Sequence, residues 1–147
     1  MQTPTKLTSA DLYAQFKDSI ESFENGSWRI AIFEGSPEEG LYSWCPDCVV
    51  ALPHIQSFER FAPKAKLMRF KVGSKNEWEA SSGNNPFRFN FPYVSDVPTA
   101  ILFMGKLDVY RVTAPREQDL RAMLERTKIY EDQIRSGDWH PPLRHKK

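Results

Sequence analysis

Cys45 and Cys48 are the only cysteines in the chain, and they lie two residues apart within Trp44-Cys45-Pro46-Asp47-Cys48. A pair at this spacing, between a strand-like run and a helix-like one, reads first as a dithiol/disulfide redox centre. Such a centre needs a reachable thiolate to attack and a second thiol close enough to resolve the mixed disulfide. Cys45 falls where a helix begins, so free backbone N–H groups and the positive end of the dipole favour its anion. Two intervening residues put Cys48 most of a turn further on, on the same side and nearer the core. Cys45 is the expected nucleophile and Cys48 the resolving thiol. Pro46 suits an early helical position, which has no use for its missing N–H. Asp47 favours the helix start but opposes a neighbouring thiolate, by an amount on the order of 2–3 kcal/mol at about 6 Å in a medium of effective dielectric about 20.

The flanking sequence supplies an α/β framework. Thr8-Ser9-Ala10-Asp11 is a helix start, and Leu12, Phe16, Ile20 and Phe23 form one apolar stripe before the stop at Asn25-Gly26. Trp28 to Phe33 reads as a buried strand, and Gly35 to Gly40 as a loop dense in breakers. A helix runs from Cys45, with Val49, Leu52, Ile55, Phe58 and Phe61 as its apolar face, a kink at Pro53 and an end at Pro63. Leu67 to Val72 is the next strand, closed by Gly73. Residues 74–95 read as irregular, apart from a short helix at Pro86–Asn90 capped by Asn85. Pro98 to Met104 and Leu107 to Val112 form a hairpin over Gly105-Lys106. A last helix runs from Pro115 to about Arg135, with Leu120, Met123, Leu124, Thr127 and Ile134 inward. The division is an N-terminal extension (1–8), one domain (9–135) and an irregular basic tail (136–147).

These elements, the WCPDC motif, the kinking Pro53 and the distant Val97-Pro98-Thr99 together resemble the thioredoxin superfamily. Within it the chain resembles the thioredoxin domain-containing protein 17 family of small cytosolic thioredoxin-related proteins. Val72-Gly73-Ser74-Lys75-Asn76-Glu77-Trp78 and Asn84-Asn85-Pro86-Phe87-Arg88 are similar to that family's V-G-x-K-x-x-W and N-N-x-F-R. The resemblance implies a thioredoxin fold, a central mixed β-sheet flanked by helices. It also implies a cis bond before Pro98, with Val97 and Pro98 as a substrate platform facing the dithiol. Trp44 is then a flat wall beside the sulfur, and Trp44, Pro46, Val97 and Pro98 are the expected substrate contacts. Thioredoxins commonly carry a buried acid in the strand before the motif. Ile30 to Phe33 offers none, and Glu34 is expected at the strand edge, so Asp47 becomes the candidate to take the proton of Cys48. The ten residues from Glu34 to Ser43 form an extra loop that should restrict large protein substrates. Trp78 and Phe87 read as packing anchors, Lys75 and Arg88 as surface charges.

What the resemblance implies for activity is reduction of small disulfides such as cystine, and of nitrosylated thiols, through Cys45 and Cys48. NADPH would supply the electrons through a thioredoxin reductase, a flavoprotein, with no cofactor bound to the chain itself. A general protein disulfide reductase and a redox-inactive adaptor are the alternatives. Zinc is a weaker use of the pair, since His140 and His145 lie about ninety residues away, against the dozen or so of a finger. A net charge of +1 provides no field to hold nucleic acid. No apolar run has membrane-spanning length. Thr and Pro stand in Met1–Thr8 where a signal peptide would be apolar. The chain is long enough for one core without cross-links, so two cysteines suit a reducing compartment. A cytoplasmic monomer is expected.

Overall fold

The computed structural model describes residues 7–62, 66–79 and 84–140. The expected helix stop at Pro63, the Ser81–Gly83 stretch, His145 and the tail beyond His140 lie outside them. The elements are α1 (Ser9–Glu21), β1 (Trp28–Glu34), α2 (Pro46–Phe61), β2 (Leu67–Lys71), α3 (Lys75–Glu79), α4 (Pro86–Phe89), β3 (Thr99–Met104), β4 (Leu107–Thr113) and α5 (Glu117–Ser136). The strands form one mixed sheet in the order β2-β1-β3-β4, with β1 parallel to β2 and antiparallel to β3. β3 and β4 pair as the expected hairpin.

Alternation along the strands sends side chains to two faces, and each face has its own core. Ala31, Phe33, Ile101 and Phe103 pack with Phe16, Ile20 and Phe23 of α1 and with Trp78 and Phe87. Ile30, Ile32, Ala100 and Leu102 pack with Ala51, Ile55 and Phe58 of α2 and with Leu120 and Met123 of α5. Phe16 meets Phe33 and Phe70 edge-on at 5.4 and 5.2 Å between centroids, the geometry aromatic quadrupoles prefer.

Three local expectations are corrected. The buried face of α2 is Cys48, Ala51, Ile55 and Phe58, while Val49 and Phe61 are exposed. A three-residue progression drifts off a 3.6-residue helix, so its two ends swing outward. The Phe61 ring instead carries the Arg121 guanidinium at 3.9 Å. Ile134 is exposed, because the end of α5 packs through Tyr130, which stacks on Trp28 and meets Trp139. Residues 75–79 are helical: Ser74 and Glu77 form a capping box, with Glu77 N–H donating to Ser74 Oγ and Ser74 N–H to Glu77 Oε1. Glu77 Oε2 also accepts from Ser9 N–H at 2.7 Å, tying α3 to the start of α1.

Candidate active site

Cys45 is the N-cap of α2, with extended backbone, and Pro46 opens the helix behind it. Its sulfur accepts from Cys48 N–H at 3.3 Å and donates to Val97 O at 3.4 Å. Both cysteines are free thiols. Cys45 keeps 5% of its surface open and Cys48 none, which sets an outer and an inner sulfur. Burial pushes the Cys48 thiol up to about 12, and the adjacent Cys45 sulfur adds to that, against a partial relief from Gly35 N–H. That N–H donates to Cys48 Sγ at 3.5 Å.

The Val97–Pro98 peptide bond is cis, as is Phe91–Pro92. Val97 and Pro98 are both buried, and Val97 shares a core cluster with Cys45 and Cys48. Pro98 O accepts from Ala114 N–H at 2.7 Å, and Ala114 sits in the left-handed region at φ 49°. The β4–α5 link therefore borders the same site. Sequence reading gave Ala114 no role, since only the pairing of β4 with β3 carries it there.

Trp44 is half-buried and fixed at both ends: its N–H donates to Ser36 O at 3.3 Å and its indole Nε1–H to Gly73 O at 2.8 Å. Its ring lies so close to Gly35 that a Cβ there would stand 2.7 Å from Trp44 Cε2. Ser43 is buried; its hydroxyl donates to Gly35 O at 2.8 Å and accepts from Cys45 N–H at 3.1 Å. The 34–43 segment is thus stitched to the motif from several sides.

The largest departure concerns Glu34, which is fully buried rather than at the strand edge. β1 stands in register with β2, so Glu34 pairs with Lys71 and Ile32 with Arg69. Arg69 reaches Glu34 Oε1 at 3.0 Å and Lys71 Nζ lies 3.7 Å from the same oxygen. Tyr42 donates to Glu34 Oε2 at 2.5 Å and also meets Arg69 Nη2. Lys71 Nζ sits 4.1 Å over the Tyr42 ring. Burial holds the Lys71 ammonium below its ordinary value, although Glu34 opposes this. Burial, then the hydrogen bond to Glu34, raises the Tyr42 phenol. A carboxylate buried this deeply is sustained by two cations and a hydroxyl, and those partners anchor the inserted loop through Tyr42.

Asp47 is exposed in the first turn of α2. It lines a groove of about 240 Å³ with Val50, Ala51, His54, Ala114, Pro115 and Arg116. Among the described residues, no group of three or more His, Cys, Asp or Glu is arranged to hold a metal ion. Among them, too, no helix is long and apolar enough to cross a membrane.

The sheet order and the dithiol at the head of α2 define the thioredoxin class of thiol oxidoreductases. A thioredoxin from Fasciola hepatica superposes with a TM-score of 0.50 at 18% identity, covering 82% of this chain and 94% of that one. A family profile described as "Thioredoxin domain-containing protein 17-like, thioredoxin domain" matches residues 9–125. The Homo sapiens thioredoxin domain-containing protein 17 is 34% identical over 92 residues, 62% of this chain and 72% of that protein. The thioredoxin-like protein Clot of Arabidopsis thaliana is 29% identical over 104 residues, 69% of this chain and 74% of that one. The chain belongs to the thioredoxin domain-containing protein 17-like family.

Proposed function

We propose that this chain reduces small disulfides of the cystine type, and nitrosylated thiols, by a two-step exchange. The Cys45 thiolate attacks one sulfur of the substrate, the S–S bond breaks, and one half leaves as a thiolate that takes a proton from water. Cys48 then gives up its proton and attacks Cys45 Sγ. The second half departs as a thiol and a Cys45–Cys48 bridge remains, so two electrons pass to the substrate. With a nitrosylated thiol, Cys45 takes the nitroso group as the S–N bond breaks and the substrate leaves as a thiolate. Cys48 then attacks Cys45 Sγ and displaces nitroxyl, leaving the same bridge. The observation that carries this reading is the unequal burial of the sulfurs, with the outer one in contact with Val97 O. An inner thiol pushed up to about 12 stays protonated until the mixed disulfide forms beside it.

Asp47 is the proposed acceptor of the Cys48 proton. It lies between the cysteines in sequence and has no ion-pair partner among the described residues, whereas Glu34 is already held by Arg69 and Lys71. Trp44, Pro46, Val97 and Pro98 form the substrate's surroundings. The loop that follows Glu34 and runs to Ser43, pinned through Tyr42, Ser43 and Trp44, supports discrimination against bulky protein substrates. Recycling by a thioredoxin reductase drawing on NADPH, and action as a cytoplasmic monomer, complete the proposal.

The test is NADPH oxidation with purified thioredoxin reductase and this chain, comparing cystine with insulin. Turnover of cystine well above that of insulin is expected. Efficient insulin reduction would favour a general protein disulfide reductase, and turnover of neither a redox-inactive adaptor.

A further inference from the structure

Asp47, Val50, Ala51 and His54 fall at i, i+3, i+4 and i+7 on α2 and so share one face of the helix. Ala114, Pro115 and Arg116 of the β4–α5 link complete the groove with them. Ala51 and Pro115 are buried and form its floor, while Asp47, Val50 and Arg116 are exposed at its sides. At about 240 Å³ it lies below the ~300–1,000 Å³ typical of drug-sized pockets, so it suits a group the size of an amino acid.

The charges around it are unequally engaged. Glu117 is paired with Arg121 at 2.7 Å, and Asp119 accepts from Arg116 N–H. His54 Nδ1 accepts from Glu117 N–H at 3.3 Å, which leaves Nε2 as the donor of the neutral ring. The side chains of Asp47 and Arg116 have no ion-pair partner among the described residues, including each other. One open anion and one open cation over an apolar floor match a zwitterion. The groove is tied to the dithiol twice: Asp47 lies between the cysteines in sequence, in the first turn of α2, and Ala114 N–H is bonded to Pro98 O, next to the Val97 carbonyl that meets Cys45 Sγ.

We infer that this groove seats the amino-acid end of the half of a small disulfide that leaves first, with Arg116 taking the α-carboxylate and Asp47 the α-ammonium while the disulfide bond is presented to Cys45. Departure of that half frees Asp47 to take the Cys48 proton. The inference rests on the small-disulfide reading above and adds a specificity-determining residue, Arg116.

The test mixes the pre-reduced full-length chain with cystine, with cystamine, which lacks carboxylates, and with 3,3′-dithiodipropionate, which lacks ammonium groups. Quenched alkylation follows formation of the Cys45–Cys48 bridge without any reductase. Taking the ratio of Arg116→Ala to wild type for each disulfide removes intrinsic differences in leaving-group chemistry. Arg116→Ala should slow cystine and dithiodipropionate by roughly 3- to 10-fold, as for loss of a partly solvated charged hydrogen bond, and leave cystamine within about twofold. Arg116→Glu should slow the two carboxylates further. Equal slowing of all three, or of none, overturns the groove assignment while leaving small-disulfide reduction intact. Failure of the wild-type chain to be oxidised by any of the three overturns both. Arg116 is exposed, and unchanged far-UV circular dichroism of the variants certifies their fold.

Discussion

Cys48 and Glu34 are both buried without access to solvent, but they keep different company. Burial, reinforced by the neighbouring Cys45 sulfur, pushes the Cys48 thiol up to about 12, from an ordinary 9.0. Between these values the unfolded chain has released a proton that the folded, reduced chain keeps. Stability of the reduced protein should therefore be intact below about pH 9 and fall above it, by up to about 1.4 kcal/mol per pH unit. Urea unfolding near pH 8 and near pH 10 checks this, and Cys48→Ala should flatten the slope. Glu34 is held by Arg69, Lys71 and Tyr42 instead. Glu34→Gln leaves two cations facing a neutral amide in a buried place, and should cost about 3 kcal/mol in denaturant unfolding. A loss under about 1 kcal/mol would mean that the cluster contributes little.

At the scale of elements, α3 shows how a short helix depends on its end. A five-residue helix is too short to stand on propensity, but Glu77 closes its capping box and also accepts from Ser9 N–H. Burial raises the Glu77 carboxyl, and the backbone N–H groups of Ser9 and Ser74 outweigh it, holding the group below its ordinary value. Glu77→Ala should cost about 1–2 kcal/mol, read as a lower Tm with the dithiol chemistry unchanged. The Ser-x-x-Glu pattern announcing this helix is plain in the sequence, although reading 74–95 as irregular overlooks it. The α2 face was only half legible, since a run of apolar residues at steps of three marks a helix without fixing which members point inward. Helix periodicity for α1, the hairpin turn at Gly105-Lys106 and the start of α2 at Cys45 needed no tertiary information.

For the molecule as a whole, strand and helix patterns gave an α/β framework, and the thioredoxin fold followed from the resemblance carried by the motif, Pro53 and Val97-Pro98-Thr99. What escaped sequence reading comes from non-local pairing. Glu34 looks like a strand-end carboxylate until β2 sets Lys71 and Arg69 beside it, and Ala114 looks like a linker until β4 delivers it to Pro98 O. The groove between α2 and the β4–α5 link likewise exists only once the two elements meet. Because the chain holds no cysteine besides Cys45 and Cys48, any mixed disulfide must form at one of two sulfurs. Intact-mass and peptide mass spectrometry of Cys48→Ser after exposure to cystine is therefore the most direct measurement. A single half-cystine on Cys45, stable because no inner thiol can displace it, is the predicted result. An unmodified Cys45 in a folded protein, or wild-type-like turnover by Cys45→Ser, would contradict the assignment of Cys45 as the attacking sulfur.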